Sequence, residues 1–146
     1  MENETLKSPF LYGEYELAVD DKNRVSCPAE IRRRLDPSEH GEALFVIIGT
    51  NKVPWFYPDR YYEELVAAEV KPTLNPSAAK LATDHINFAL ANRLEWDKQG
   101  RILIPEKYLT RCGVGRDVTM IGMGDHLQLH NRDAWNKYRD ELLGSR

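Results

Sequence analysis

Apolar residues Tyr15, Leu17 and Val19 alternate with Glu14, Glu16 and Ala18, the two-residue period of a half-buried strand. The alternation returns at Leu94 and Trp96 against Arg93, Glu95 and Asp97. Each segment runs into Asp-x-x-x-Arg, then into a short apolar stretch, Val25-Ser26-Cys27 or Ile102-Leu103-Ile104, that ends at Pro28 or Pro105. The residue before each arginine is Asn23 or Gly100, the two types that most readily take a positive φ, so one tight turn suits both. The prolines sit where a first helical turn accepts them. Ile31 and Leu35, like Tyr108 and Cys112, are four apart and predicted to face inward together, and Gly113 reads as a helix stop.

Two strands follow in each half, over residues 44–48 and 53–57, then 118–121 and 127–129, with turns at 49–52 and 122–125. A helix closes each. Pro58-Asp59 starts one with Tyr62, Leu65 and Val66 inward; Asn131 caps the other with Trp135, Tyr138 and Leu142 inward. Between the halves, Asn75-Pro76 opens a helix to about Phe88, with Leu81, Ala82, Ile86 and Ala89 on one stripe. The unit is strand, turn, strand, helix, hairpin, helix, used twice. Asp97, Arg101 and Pro105 each stand 77 residues after Asp20, Arg24 and Pro28; Trp135 stands 73 after Tyr62, because the first half has the longer loop 36–42. Such a repeat implies two copies of one supersecondary unit packed together. The expected division is a first module over 10–66, a helical connector over 67–89 and a second module over 90–142.

At 146 residues the chain suits one domain or two fused halves sharing a core. No apolar run approaches the roughly 20 residues that span a bilayer, and Met1-Glu2-Asn3-Glu4-Thr5 is too polar for an export signal, so a cytoplasmic protein is expected. Cys27 falls opposite Ile104 in the repeat and Cys112 opposite Leu35, so both read as small core residues, not as a disulfide or metal pair. The net charge of −3 argues against a generic nucleic-acid coater. Its distribution changes the picture: Lys22, Arg24, Arg32, Arg33 and Arg34 cluster in the first copy, and Arg93, Lys98, Arg101, Lys107 and Arg111 in the second.

The two Asp-x-x-x-Arg-apolar-Pro segments, Asp20 to Pro28 and Asp97 to Pro105, resemble those of the MraZ family, supported by Phe10-x-x-Gly13, Gly113 and Trp135. The resemblance covers residues 10–142. It implies an α+β fold of two tandem AbrB-like swapped-hairpin modules, with a pseudo-twofold, β-barrel-like core and flanking helices. It further implies a nucleoid-associated bacterial transcriptional repressor that assembles into rings and binds direct repeats in double-stranded DNA, upstream of the division and cell-wall gene cluster. The family's DNA-contacting face maps onto Asp20, Arg24, Asp97 and Arg101. Two positions depart: Asn23 replaces a usual glycine, and Leu109 stands where the first copy has the family's arginine, Arg32.

Arginine suits bidentate contact to guanine or phosphate, but Arg24 and Arg101 can equally pair with their own aspartates to hold the turns. Asp20 and Asp97 are expected to shape those turns and orient the arginines, since carboxylates repel phosphate. Lys22, Lys98, Arg32 and Arg33 read either as solvated charges or as phosphate contacts; with Arg34, three consecutive arginines cannot all face one way. Catalytic, metal and cofactor chemistry find no support. His126 and His130 lie on a hairpin strand and need not share a face, His40 and His85 match no ligand motif, and no phosphate loop or nucleophile elbow occurs. Neither a membrane nor a small-molecule substrate is expected. The competing function is an oligomeric protein-interaction module with weak or no DNA binding.

Overall fold

A computed structural model describes residues 7–146. The polar stretch 1–5, read above as unfit for export, lies outside the described residues. The first half contains β1 (Glu14–Ala18), β2 (Arg24–Ser26), α1 (Ala29–Arg33), α2 (Pro37–His40), β3 (Ala43–Ile48), β4 (Pro54–Pro58) and α3 (Asp59–Glu69). The connector holds α4 (Ala78–Asp84) and a π-helical turn, His85–Ala89. The second half contains β5 (Asn92–Glu95), β6 (Arg101–Leu103), α5 (Glu106–Cys112), β7 (Asp117–Gly122), β8 (Leu127–Asn131) and α6 (Arg132–Gly144).

The fold is α+β, with an antiparallel six-stranded sheet of order β1-β7-β8-β4-β3-β5. Reading that order backwards while exchanging each strand for its repeat counterpart returns the same order, so an internal twofold passes between β4 and β8. The outer pairings cross between halves: β1 lies on β7, with Glu16 opposite Thr119, and β5 lies on β3, with Leu94 opposite Leu44. The remaining strands, β2 and β6, form their own two-stranded ribbon, with Val25 opposite Ile102. These two residues are 77 apart, so the ribbon straddles the same pseudo-symmetry. The barrel-like core expected from the family is not what forms. The strand order is linear, and β1 and β5 end it as edges.

Val25, Cys27, Ile102 and Ile104 of the ribbon, with Ile31 of α1 and Tyr108 of α5, belong to one core with Val46, Phe56, Met120, Leu127 and Leu129 of the sheet. The ribbon is thereby seated on the sheet through one of its faces, and its other face is left outward. Cys27 is buried and both cysteines are free; burial pushes the Cys27 thiol up to about 12, as suits an inert core residue.

Three local expectations change. Pro28 and Pro105 stand one position before their helices, with ψ of 140° and 139°, and act through their carbonyls, which accept from the N–H groups of Ile31 and Tyr108 at 3.0 Å each. The connecting helix starts after Ser77, whose hydroxyl accepts from Lys80 N–H, not at Asn75-Pro76, and its expected apolar stripe has no buried residue. On α6, Trp135 is half-buried and its indole N–H donates to Glu14 at 2.8 Å. Tyr138 and Leu142 were expected inward but are 55% and 43% exposed. The helix packs against β7 and β8, and Tyr138 and Leu142 border an open cavity with Val53, Ile121 and Met123. Gly113 does end α5, in the left-handed conformation at φ 61°. Among the described residues no helix is long and apolar enough to cross a membrane.

Candidate nucleic-acid interface

Each Asp-x-x-x-Arg segment closes the same turn by the same bonds. Asp20 Oδ1 accepts from the N–H groups of Lys22 and Arg24 at 2.9 and 2.8 Å, and Oδ2 accepts from Arg24 Nε at 2.8 Å. In the second turn Asp97 Oδ1 accepts from Gln99 and Arg101 N–H at 2.8 and 2.9 Å, and Oδ2 from Arg101 Nε at 2.7 Å. Asn23 and Gly100 supply the positive φ, 64° and 76°. An aspartate that holds both a turn and the base of the following guanidinium removes most of that arginine's rotamer freedom in advance of any ligand. Among the described residues the terminal nitrogens of Arg24 have no partner; one of Arg101's donates to Gln99 at 3.3 Å. The Arg24 and Arg101 side chains are 28% and 30% exposed.

Register puts the two arginines on one face. Val25 and Ile102 point into the core, so their neighbours Arg24, Ser26, Arg101 and Leu103 point out. Arg24 lies opposite Leu103 and Arg101 opposite Ser26, which makes the arginines diagonal neighbours across the ribbon. Ser26 and Leu103 were not singled out from the sequence. The signal was there, in the middle position of two apolar-x-apolar triplets.

Each turn also leans on the other half's helix. Ile104 N–H donates to Asn23 O at 2.8 Å, and Cys27 N–H donates to Gly100 O at 3.0 Å. Asn23 donates its amide to Glu106 at 2.9 Å and accepts from Arg116, which also donates to Asp20 O at 2.7 Å. At the second turn the Arg32 side chain lies over Gly100, where an added Cβ would stand 2.7 Å from the guanidinium carbon. Arg32 therefore serves the second turn, although it belongs to the first copy. Leu109, its counterpart, is buried. Thus glycine with arginine above it on one side is matched by asparagine with a leucine in the core on the other.

The remaining basic residues scatter. Lys22 and Lys98 are exposed beside the turns. Arg33 pairs with Glu30 on the outer side of α1. Arg34 turns back to the Tyr12 ring, 4.5 Å from its centroid, and Arg93 is held by Asp59 and Glu95, so neither joins the ribbon face. His126 and His130, for which a shared face was not expected to be obligatory, do share one. Gln128 between them bonds to both rings, at 3.0 and 2.9 Å, because residues four apart on a strand point the same way. Among the described residues no group of three or more His, Cys, Asp or Glu is placed to hold a metal.

The Arg24 backbone N–H, then its guanidinium and the Lys22 N–H, hold the Asp20 carboxyl below the ordinary 3.8, and Arg101 and Gln99 do the same for Asp97. Protonation is thus harder in the folded chain than in the unfolded one. The stabilisation is complete above 3.8 and is lost as pH falls through the lowered values. In an NMR titration the amide signals of Arg24 and Arg101 are expected to hold from pH 7 to below 4 and then move together. A midpoint at or above 3.8 would contradict the bonding.

A family model described as "MraZ protein, putative antitoxin-like" matches residues 88–145, the second half of the repeat. Over nearly the whole chain, the protein named Transcriptional regulator MraZ from Clostridium tetani is 32% identical across 130 residues, 88% of this chain and 86% of that one. That of Heliobacterium modesticaldum is 32% identical across 133 residues, 91% and 89% of the two chains. The protein of the same name from Bifidobacterium longum is 27% identical across 135 residues, 91% of this chain and 85% of its own.

Proposed function

Because the chain belongs to the MraZ family, whose matched relatives are named transcriptional regulators, we propose that it is itself a sequence-specific DNA-binding transcriptional regulator and not an enzyme. One observation carries this reading: two arginines, each fixed by its own aspartate, share the outer face of a two-stranded ribbon. The major groove of B-DNA admits such a ribbon, and arginine is the usual bidentate reader of guanine O6 and N7. In this arrangement Arg24 and Arg101 reach base edges while Asp20 and Asp97 hold them. Lys22 and Lys98, exposed beside the turns, contact phosphates, which sets position without reading sequence, while Arg32 and Arg33 add positive charge from α1. The two repeats act as tandem swapped-hairpin modules, whose crossed pairings support one rigid ribbon.

A chain of net charge −3 with few free arginines binds DNA weakly alone. A ring of such chains gains affinity by engaging several direct repeats at once; the outward apolar residues Tyr138, Leu142 and Leu143 of α6 support assembly. The expected targets are direct repeats upstream of division and cell-wall genes. Fluorescence anisotropy with duplexes carrying one, two and three repeats tests this. Affinity is expected to rise steeply with repeat number and to fall steeply with salt, as phosphate contacts release counterions. Equal affinity across the series rejects the multivalent mechanism. The same acidic charge and apolar helix face favour the second reading, an oligomer that works through proteins. An intact assembly that ignores duplex from its own operon promoter at moderate salt decides for it.

A further inference from the structure

Leu103 has an exposure that the fold does not require. It is 59% exposed on an otherwise polar face, between the core residues Ile102 and Ile104, which are each about 1% exposed. Its Cα pairs with that of Arg24 across the ribbon, and its repeat counterpart, 77 residues earlier, is Ser26. Among the outward positions of the two ribbon strands, the pseudo-twofold that equates Arg24 with Arg101 thus breaks at this pair. A symmetric ribbon would read both halves of its site alike, whereas this ribbon presents an isobutyl group on one side and a hydroxyl on the other.

Resting on the DNA-binding reading above, we propose that Leu103 is a specificity-determining residue: it packs on the C5 methyl of a thymine beside the base pair read by Arg24. The thymine methyl is the apolar feature of the major-groove edge and is recognised by apolar side chains. A serine at the equivalent place hydrogen-bonds either to bases or to phosphate and makes no such demand. The two halves of the bound site therefore differ, with a methyl requirement on the Leu103 side alone, and the ribbon sits on DNA in one direction.

The test starts from a random duplex library, from which the wild-type assembly selects its site. Each thymine of that site is then replaced in turn by uracil, which removes only the methyl. The wild type is expected to lose about fourfold in affinity at one thymine, the worth of burying a methylene-sized group. Leu103→Ser is expected to bind thymine and uracil equally there and to keep the wild-type melting temperature and assembly mass. A flat uracil scan for the wild type, an unchanged scan for Leu103→Ser, or a Leu103→Ser assembly of lower mass overturns the proposal while leaving DNA binding in place. Failure of the wild type to enrich any duplex overturns the DNA-binding reading, and this inference falls with it.

Discussion

Changing Arg24 and Arg101 together to alanine is expected to lower affinity for a specific duplex by about a hundredfold or more. Each bidentate arginine–guanine contact contributes about 1–3 kcal/mol, and two are lost. Each single variant should lose its own share, because the arginines hang from separate aspartates and do not touch a common partner. The fold should be little affected. Both ion pairs are about one-third exposed, where solvent screening leaves such pairs little net weight, and the turn is also closed by backbone: Asp20 N–H to Arg24 O and Asp97 N–H to Arg101 O, both 2.9 Å. Anisotropy titration beside light scattering separates the effects. Loss of binding with unchanged assembly mass and melting temperature assigns the arginines to DNA. Unchanged binding by the double variant removes them from the interface and returns them to the structural role of holding their turns.

The periodicity of the chain made its repeat visible, because Asp, Arg and Pro recur at one offset, but the ribbon that pairs Val25 with Ile102 was not read from it. Which half serves which site was not legible. Arg32 follows Pro28 closely in the chain, so it reads as part of the first turn; it lies on Gly100 because β2 and β6 exchange places and each turn meets the other half's helix. Such pairings are long-range, and local pattern carries no information about the partner. The same holds for α6. Its spacing shows that Trp135, Tyr138 and Leu142 share a face, but periodicity shows only that an apolar face exists, not what covers it, and within one chain most of it is uncovered. Counting polar residues also misled. Arg34 and Arg93 belong to basic clusters in sequence, but they are spent on Tyr12 and on Asp59 with Glu95, away from the ribbon.

The largest expected effect on stability is at Tyr108, which ties the second half's helix to the first half's sheet. Its ring is 1% exposed at the position equivalent to Ile31. Its hydroxyl faces the Leu90 carbonyl at 2.7 Å, Asn92 Oδ1 at 3.0 Å and the Val46 carbonyl at 3.2 Å. Burial pushes the phenol up to about 12, so it remains a donor across the working pH range. Tyr108→Phe keeps the ring but leaves those acceptors without their donor, an expected loss of about 1–3 kcal/mol. Tyr108→Ala adds a cavity where α5 meets the sheet, and about 3–5 kcal/mol is expected, as for other large aromatic truncations. Urea unfolding of the two variants beside the wild type measures both. Tyr108 lies on the ribbon's buried side, so the phenylalanine variant, while folded, should bind duplex as the wild type does. An alanine variant that loses less than about 1 kcal/mol would mean that α5 is not seated on the sheet. The ribbon would then lack the rigid floor on which its two arginines depend.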